Sequence, residues 1–139
     1  MAASNLTLAK EEVYSDFNTS FAIHPIRHDL TRLTNEDAVK RSIKNILLTN
    51  RYERRFRPDF GSGLSRYLFE PLTPITLSLM KKEIEQTIST YEPRATILDV
   101  VVSAATDQNS VEVSITFSLI NSLIPVVLTT TISALERAR

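Results

Sequence analysis

The sequence has no cysteine, so neither a disulfide nor a thiolate metal site can form. It has only two glycines in 139 residues, Gly61 and Gly63, and both fall in one short stretch. Backbone freedom is therefore concentrated in one place. No apolar run approaches the ~18 residues that span a bilayer. The first residues, MAASNLTLAKEEV, have neither the basic start nor the apolar centre of a signal peptide. No membrane partner is expected. Net charge is also missing, with 16 basic against 16 acidic residues, whereas a nucleic-acid binder usually carries a net basic domain. The charges are nevertheless segregated. Residues 95–136 contain four acids and no Lys or Arg, while residues 27–57 carry nine Lys or Arg against four acids. Such a chain attracts copies of itself or a mixed-charge protein neighbour.

What is present suits one α+β domain. Residues 1–20 lack periodicity and are expected to form a flexible arm, with 21–139 as the folded domain and a short strand allowed by Phe17, Phe21 and Ile23. His24-Pro25 then turns the chain. A T-x-x-D pattern at Thr34 and Asp37 starts a first helix, whose apolar stripe is Ala38, Val39, Ile43, Ile46 and Leu47, ending near Thr49-Asn50. Leu64–Phe69 forms a helical turn or two that packs Leu64, Leu68 and Phe69. A second long helix begins at Thr73-Pro74, buries Leu77, Met80, Ile84, Ile88 and Tyr91, and stops before Pro93. The period then falls to two. Leu98, Val100, Val102 and Ala104 share one face of a strand, with Ile97 and Val101 on the other, so burial on both sides is expected. Val111 to Leu119 alternates cleanly. A third strand enters at Pro125 and holds Val126, Leu128, Thr130 and Ile132. The expected fold is two main helices packed on an antiparallel sheet of three to four strands, formed mainly by the C-terminal half.

Three features could carry function. The first is RYERRFRPDFGSGL, residues 51–64, with four arginines in seven residues interleaved with Tyr52 and Phe56. Arginine and aromatic rings can hold phosphates and stack on bases, or they can meet acids on a protein; zero net charge favours the protein. The second is Glu92-Pro93-Arg94. Pro93 stiffens the segment, so the acid and base project to one side. They either pair with each other, as an exposed contact worth little, or present a rigid fork to a partner. The third is the last strand, whose Thr129-Thr130-Thr131 run lacks the lysines that usually protect a sheet edge. It is an ordinary edge, or one that exchanges a strand with another chain. Catalytic signatures are absent: there is no G-x-S-x-G elbow and no phosphate loop after Gly61-Ser62-Gly63. His24 and His28 lack a third ligand. No catalytic residue, metal or cofactor is expected, and the chain is read as a non-enzyme.

The order ER, PDFGSGL, LFEP and EPR, carried by Glu53-Arg54, Pro58–Leu64, Leu68–Pro71 and Glu92–Arg94, resembles the small baseplate wedge proteins of contractile phage tails, with a similar component in type VI secretion baseplates. The resemblance covers about residues 16–133. Many members have glycine just before the Glu-Arg pair, where this chain has Tyr52. The family is sometimes labelled lysozyme-like, which the motifs here do not support chemically. The resemblance implies a structural role in the tail baseplate of a virion assembled in the host cytoplasm. It implies that Glu92, Pro93 and Arg94 contact the core bundle of larger wedge proteins. Glu53, Arg54, Arg57, Pro58, Phe60, Gly61 and Gly63 would shape the loop or bind a partner. Val126, Leu128, Thr130 and Ile132, or the arm, would exchange strands with the first tail-sheath ring, and tube or hub-proximal baseplate proteins are further partners. A nucleic-acid module using Arg51–Arg57 and a cell-wall glycan hydrolase are the alternatives.

Overall fold

A computed structural model of the chain describes residues 14–18, 20–26, 28–105, 110–120 and 122–133. The chain divides into two compact units, residues 1–38 and 39–139.

In the first unit, strand β1 (Ser15–Phe17) pairs antiparallel with β2 (Arg32–Thr34), and an Ile23–Leu30 bridge continues the ribbon. Residues 15–17 of the expected arm are thus a strand; residues 1–13 lie outside the described residues. Asn35 closes the ribbon. Its backbone N–H donates to the Tyr14 carbonyl at 2.7 Å, and its side chain accepts from the Tyr14 N–H at 3.2 Å. Asn35 sits at φ 48°, a conformation asparagine tolerates. Thr34 therefore belongs to β2, and helix α1 (Asn35–Leu48) starts one residue later than the capping pattern suggests.

In the second unit, Val39, Ile43, Ile46 and Leu47 of α1 are buried, as their spacing requires. The short helix α2 (Leu64–Tyr67) buries Leu64, Tyr67 and the following Leu68. Phe69, expected inside, is 76% exposed, because the chain turns outward after Leu68 and Tyr67 takes the inner place. Helix α3 (Pro74–Tyr91) begins with Pro74 behind Thr73, whose hydroxyl accepts from the Thr76 N–H at 3.3 Å. Met80, Ile84 and Ile88 are fully buried.

Strands β3 (Ala95–Ala104), β4 (Ser110–Leu119) and β5 (Ser122–Ser133) form an antiparallel meander with β4 in the centre, and α3 lies against β3. Every second residue of β4, from Val111 to Leu119, is buried. Strand β3 departs from expectation. A bulge between Ile97 and Asp99 reverses its alternation, so Ile97 and Val100 turn inward together. Leu98 and Val101 are left 57% and 55% exposed, and the strand is covered on one face only. Strand β5 begins before Pro125, which pairs with Ser118 beside a second irregularity. Proline is tolerated there because β5 is an edge strand. No helix among the described residues is long and apolar enough to cross a membrane.

Candidate functional site: the Glu92–Arg94 corner and the arginine loop

Helix α3 ends at Tyr91 because Pro93 forces Glu92 out of the helical region, to φ −127° and ψ 74°. The Glu92 N–H still donates to the Ile88 carbonyl at 2.8 Å. The Glu92 carbonyl accepts from Ala95, and the Arg94 carbonyl accepts from Ile120. The corner is therefore pinned by backbone to both the helix and the sheet. Its side chains close on each other. Arg94 Nε donates to Glu92 Oε1 at 2.5 Å, and Nη2 donates to Oε2 at 2.7 Å, the bidentate fork of a guanidinium on a carboxylate.

Of the two readings the sequence left open, the side chains do pair, but the pair is half-sunk and not an exposed contact. The Glu92 side chain is 2% exposed, while that of Arg94 is 32% exposed and Pro93 faces solvent. Burial works to raise the Glu92 pKa, but hydrogen bonds from Arg94 and Ser42 and the Arg94 charge outweigh it and hold the carboxyl below its ordinary value. Glu92 thus acts as a buried anchor for Arg94, while Pro93 and Arg94 carry the surface. Beside them a groove between α3 and β3 is lined by Glu85, Ser89, Pro93, Thr96, Ile97 and Leu98.

The arginine loop is held by three fastenings. Ser62, fully buried, donates its hydroxyl to the Leu47 carbonyl at 2.7 Å and its N–H to the Thr49 carbonyl at 2.8 Å, capping the end of α1. Glu83 of α3 receives Arg51 at 2.7 Å and the Gly63 N–H at 3.3 Å. The Tyr91 hydroxyl donates to the Asp59 carbonyl, and Phe60 stacks on Tyr91 with ring centres 5.1 Å apart.

The two glycines serve different purposes. Gly61 lies at φ 115°, and a Cβ there would stand 2.5 Å from the Thr49 carbonyl oxygen. Gly63 has an ordinary negative φ of −89°, so it is not needed for left-handed backbone; its Cβ would meet Glu83 Oε1 at 3.1 Å, and its role is close approach. Left-handed backbone occurs instead at Tyr52 (φ 68°) and Phe56 (φ 69°). Tyr52 is the position where many members of the resembled family have glycine.

Of the residues singled out by sequence, Glu53, Arg54, Pro58 and Phe60 join Gly61 and Gly63 in holding the loop's form. Glu53 accepts from the Asn50 N–H at 2.8 Å, Pro58 accepts from the Tyr52 N–H at 2.8 Å, and Arg54 lies 4.7 Å over the Phe60 ring. Arg57 is exposed. On β5, Val126, Thr130 and Ile132 are buried and Leu128 is half-buried, so the exchange residues contribute side chains to this chain's own core. Among the described residues no strand pairs with the outer backbone edge of β5, where the three-stranded sheet ends. Sequence reasoning missed Ser42 and Glu83. Neither has a local signature, because each acts on a segment far away in the chain. His24 and His28 lie in the ribbon turn, and among the described residues no three His, Cys, Asp or Glu converge.

Comparison with known proteins bears on this geometry. A curated relative, the baseplate wedge protein gp25 of Enterobacteria phage T4, is 33% identical over 111 residues, 80% of this chain and 83% of its own. A crystal structure of a Geobacter sulfurreducens protein called a tail lysozyme is similar at 28% identity and a TM-score of 0.65, covering 70% of this chain and 89% of that one. The fold also recurs in the anti-feeding prophage baseplate (TM-score 0.60, 21% identity, 87% and 86% covered) and in the post-contraction R2 pyocin baseplate (0.55, 22%, 86% and 98%). The family described as baseplate wedge protein gp25 matches residues 33–122, which takes in the arginine loop and the corner alike, and the chain belongs to that family.

Proposed function

We propose that this protein is a structural wedge subunit of a contractile tail baseplate. It binds the helical core bundle of larger wedge proteins through Pro93 and Arg94, with Glu92 as the buried anchor, and offers β5 to the first tail-sheath ring. The curated relative is a baseplate wedge protein, and the reading is of a non-enzyme built into the virion tail, assembled in the host cytoplasm. The observation that carries it is the corner. A guanidinium held on a buried carboxylate at the end of a helix loses little further freedom on binding, which is how preorganised contacts gain affinity. The neighbouring groove gives a partner element room to lie against Pro93. The outer edge of β5, unpaired among the described residues and with Thr129–Thr131 unguarded by lysine, supports strand addition.

Incorporation into tails tests the reading. Arg94→Ala should leave the domain folded and exclude it from assembled wedges; normal recovery with the larger wedge proteins would refute the core contact. Proline placed along Thr129–Thr131 should, where the N–H faces away from β4, spare the fold and stop sheath growth. Full-length sheaths on all such baseplates would refute the template role.

A further inference from the structure

The arginine loop has an inner side and a tip, and only the inner side is accounted for by the fold. Arg51, Glu53, Pro58, Phe60, Gly61 and Gly63 all take part in fastening it. The tip does not. Phe56 is fully exposed, Tyr52 is 81% exposed, and Arg55 and Arg57 face solvent beside them. Both aromatic residues sit in left-handed backbone, at φ 68° and 69°, which bulky side chains adopt only where the surroundings impose it. Among the described residues nothing packs on Phe56 to offset that conformation. Outlying backbone, a fully exposed phenylalanine and flanking arginines match the composition of binding hot spots.

We propose that this tip is a second docking surface, and that its occupant is an acidic protein surface with an apolar recess. Phe56 fills the recess, while Arg55 and Arg57 meet carboxylates. Charge complementarity commits the occupant: with Arg51 paired to Glu83, residues 52–57 still hold three arginines against one acid, in a chain whose total charge is zero. The inference rests on the baseplate reading only in placing the occupant among the other baseplate proteins. It assigns the contact to Tyr52, Arg55, Phe56 and Arg57, while Glu53, Pro58, Phe60, Gly61 and Gly63 build the platform.

The test uses tails assembled in the host with Phe56→p-benzoylphenylalanine, irradiated and digested. The expected result is a crosslink to an acidic peptide of another baseplate protein, with Arg55→Glu lowering incorporation about tenfold or more at unchanged melting temperature. A crosslink to nucleic acid would overturn the proposal in favour of phosphate binding. So would position 56 left unlinked in tails that incorporate Arg55→Glu normally. If that occurs while Arg94→Ala still abolishes incorporation, this inference falls and the wedge reading stands. If Arg94→Ala and Arg55→Glu both assemble normally, the wedge contacts fall as well.

Discussion

The corner at residues 92–94 and the loop at residues 51–63 are both irregular segments rich in arginine, yet they are built in opposite ways. The corner is short, carries one arginine and takes its rigidity from a buried acid. The loop is long, carries four arginines and takes its rigidity from backbone: a left-handed glycine, a buried serine and carbonyl acceptors at the end of α1. In the corner the side chain that reaches the surface, Arg94, is also the side chain that is held. In the loop the side chains that fasten it, such as Arg51, Phe60 and Ser62, are not those of its tip, Arg55 and Phe56. The difference teaches that an arginine's role is decided by the burial of its partner and not by its presence in a motif.

Substitutions should separate the two constructions. Gly61→Ala should do the greatest damage, ~3 kcal/mol or more, because it combines a forbidden φ with a backbone clash. In a domain of this size that lowers the melting temperature by about 10 °C, and a shift under about 2 °C would show that the loop backbone is not fixed. Glu92→Ala strips the buried anchor and leaves Arg94 and Ser42 without their acceptor. A loss of ~2 kcal/mol on chemical denaturation is expected, tempered by the partial exposure of Arg94.

The corner should also be acid-sensitive. The folded pKa of Glu92 lies below its ordinary value of 4.5. Its contribution is therefore fully present above pH 4.5 and disappears as the pH falls through the folded value. The stability difference between wild type and Glu92→Gln should be constant near neutrality and shrink below pH 4.5; a difference that grew on acidification would reverse the assignment. Arg51→Ala should cost only ~0.5–1 kcal/mol, since Arg51 is half exposed in its pair with Glu83. Phe56→Ser should change stability by less than ~0.5 kcal/mol, because the ring touches solvent on all sides.

The same contrast explains what the sequence made legible. Periodicity placed α1, α3 and β4 because each buries one regular face, and Pro74 and Pro93 marked the bounds of α3 within the chain. The meander followed from alternation. The β3 bulge was not legible, since Leu98 is as apolar as Ile97 and only the pairing with β4 reverses the phase. Phe69 misled for another reason: an apolar residue after a helical turn suggests packing, but the local turns in which Phe69 and Glu70 donate to the Arg66 and Tyr67 carbonyls leave its ring outside. At the site, Glu92-Pro93-Arg94 was visible as a stiff pair, but the burial of Glu92 depends on Ser42, 50 residues earlier. In the loop, the glycines advertised unusual backbone, yet the left-handed residues included Tyr52 and Phe56, which composition alone would place elsewhere.

The central claim is that this chain joins other proteins at surfaces its own fold holds ready. A cryo-EM reconstruction of the assembled baseplate tests it most directly. The account predicts a helix of a larger wedge protein in contact with Pro93 and Arg94, the Glu92–Arg94 fork unchanged, and an added strand along β5. A map in which the corner and the β5 edge both face solvent in the finished particle would contradict it.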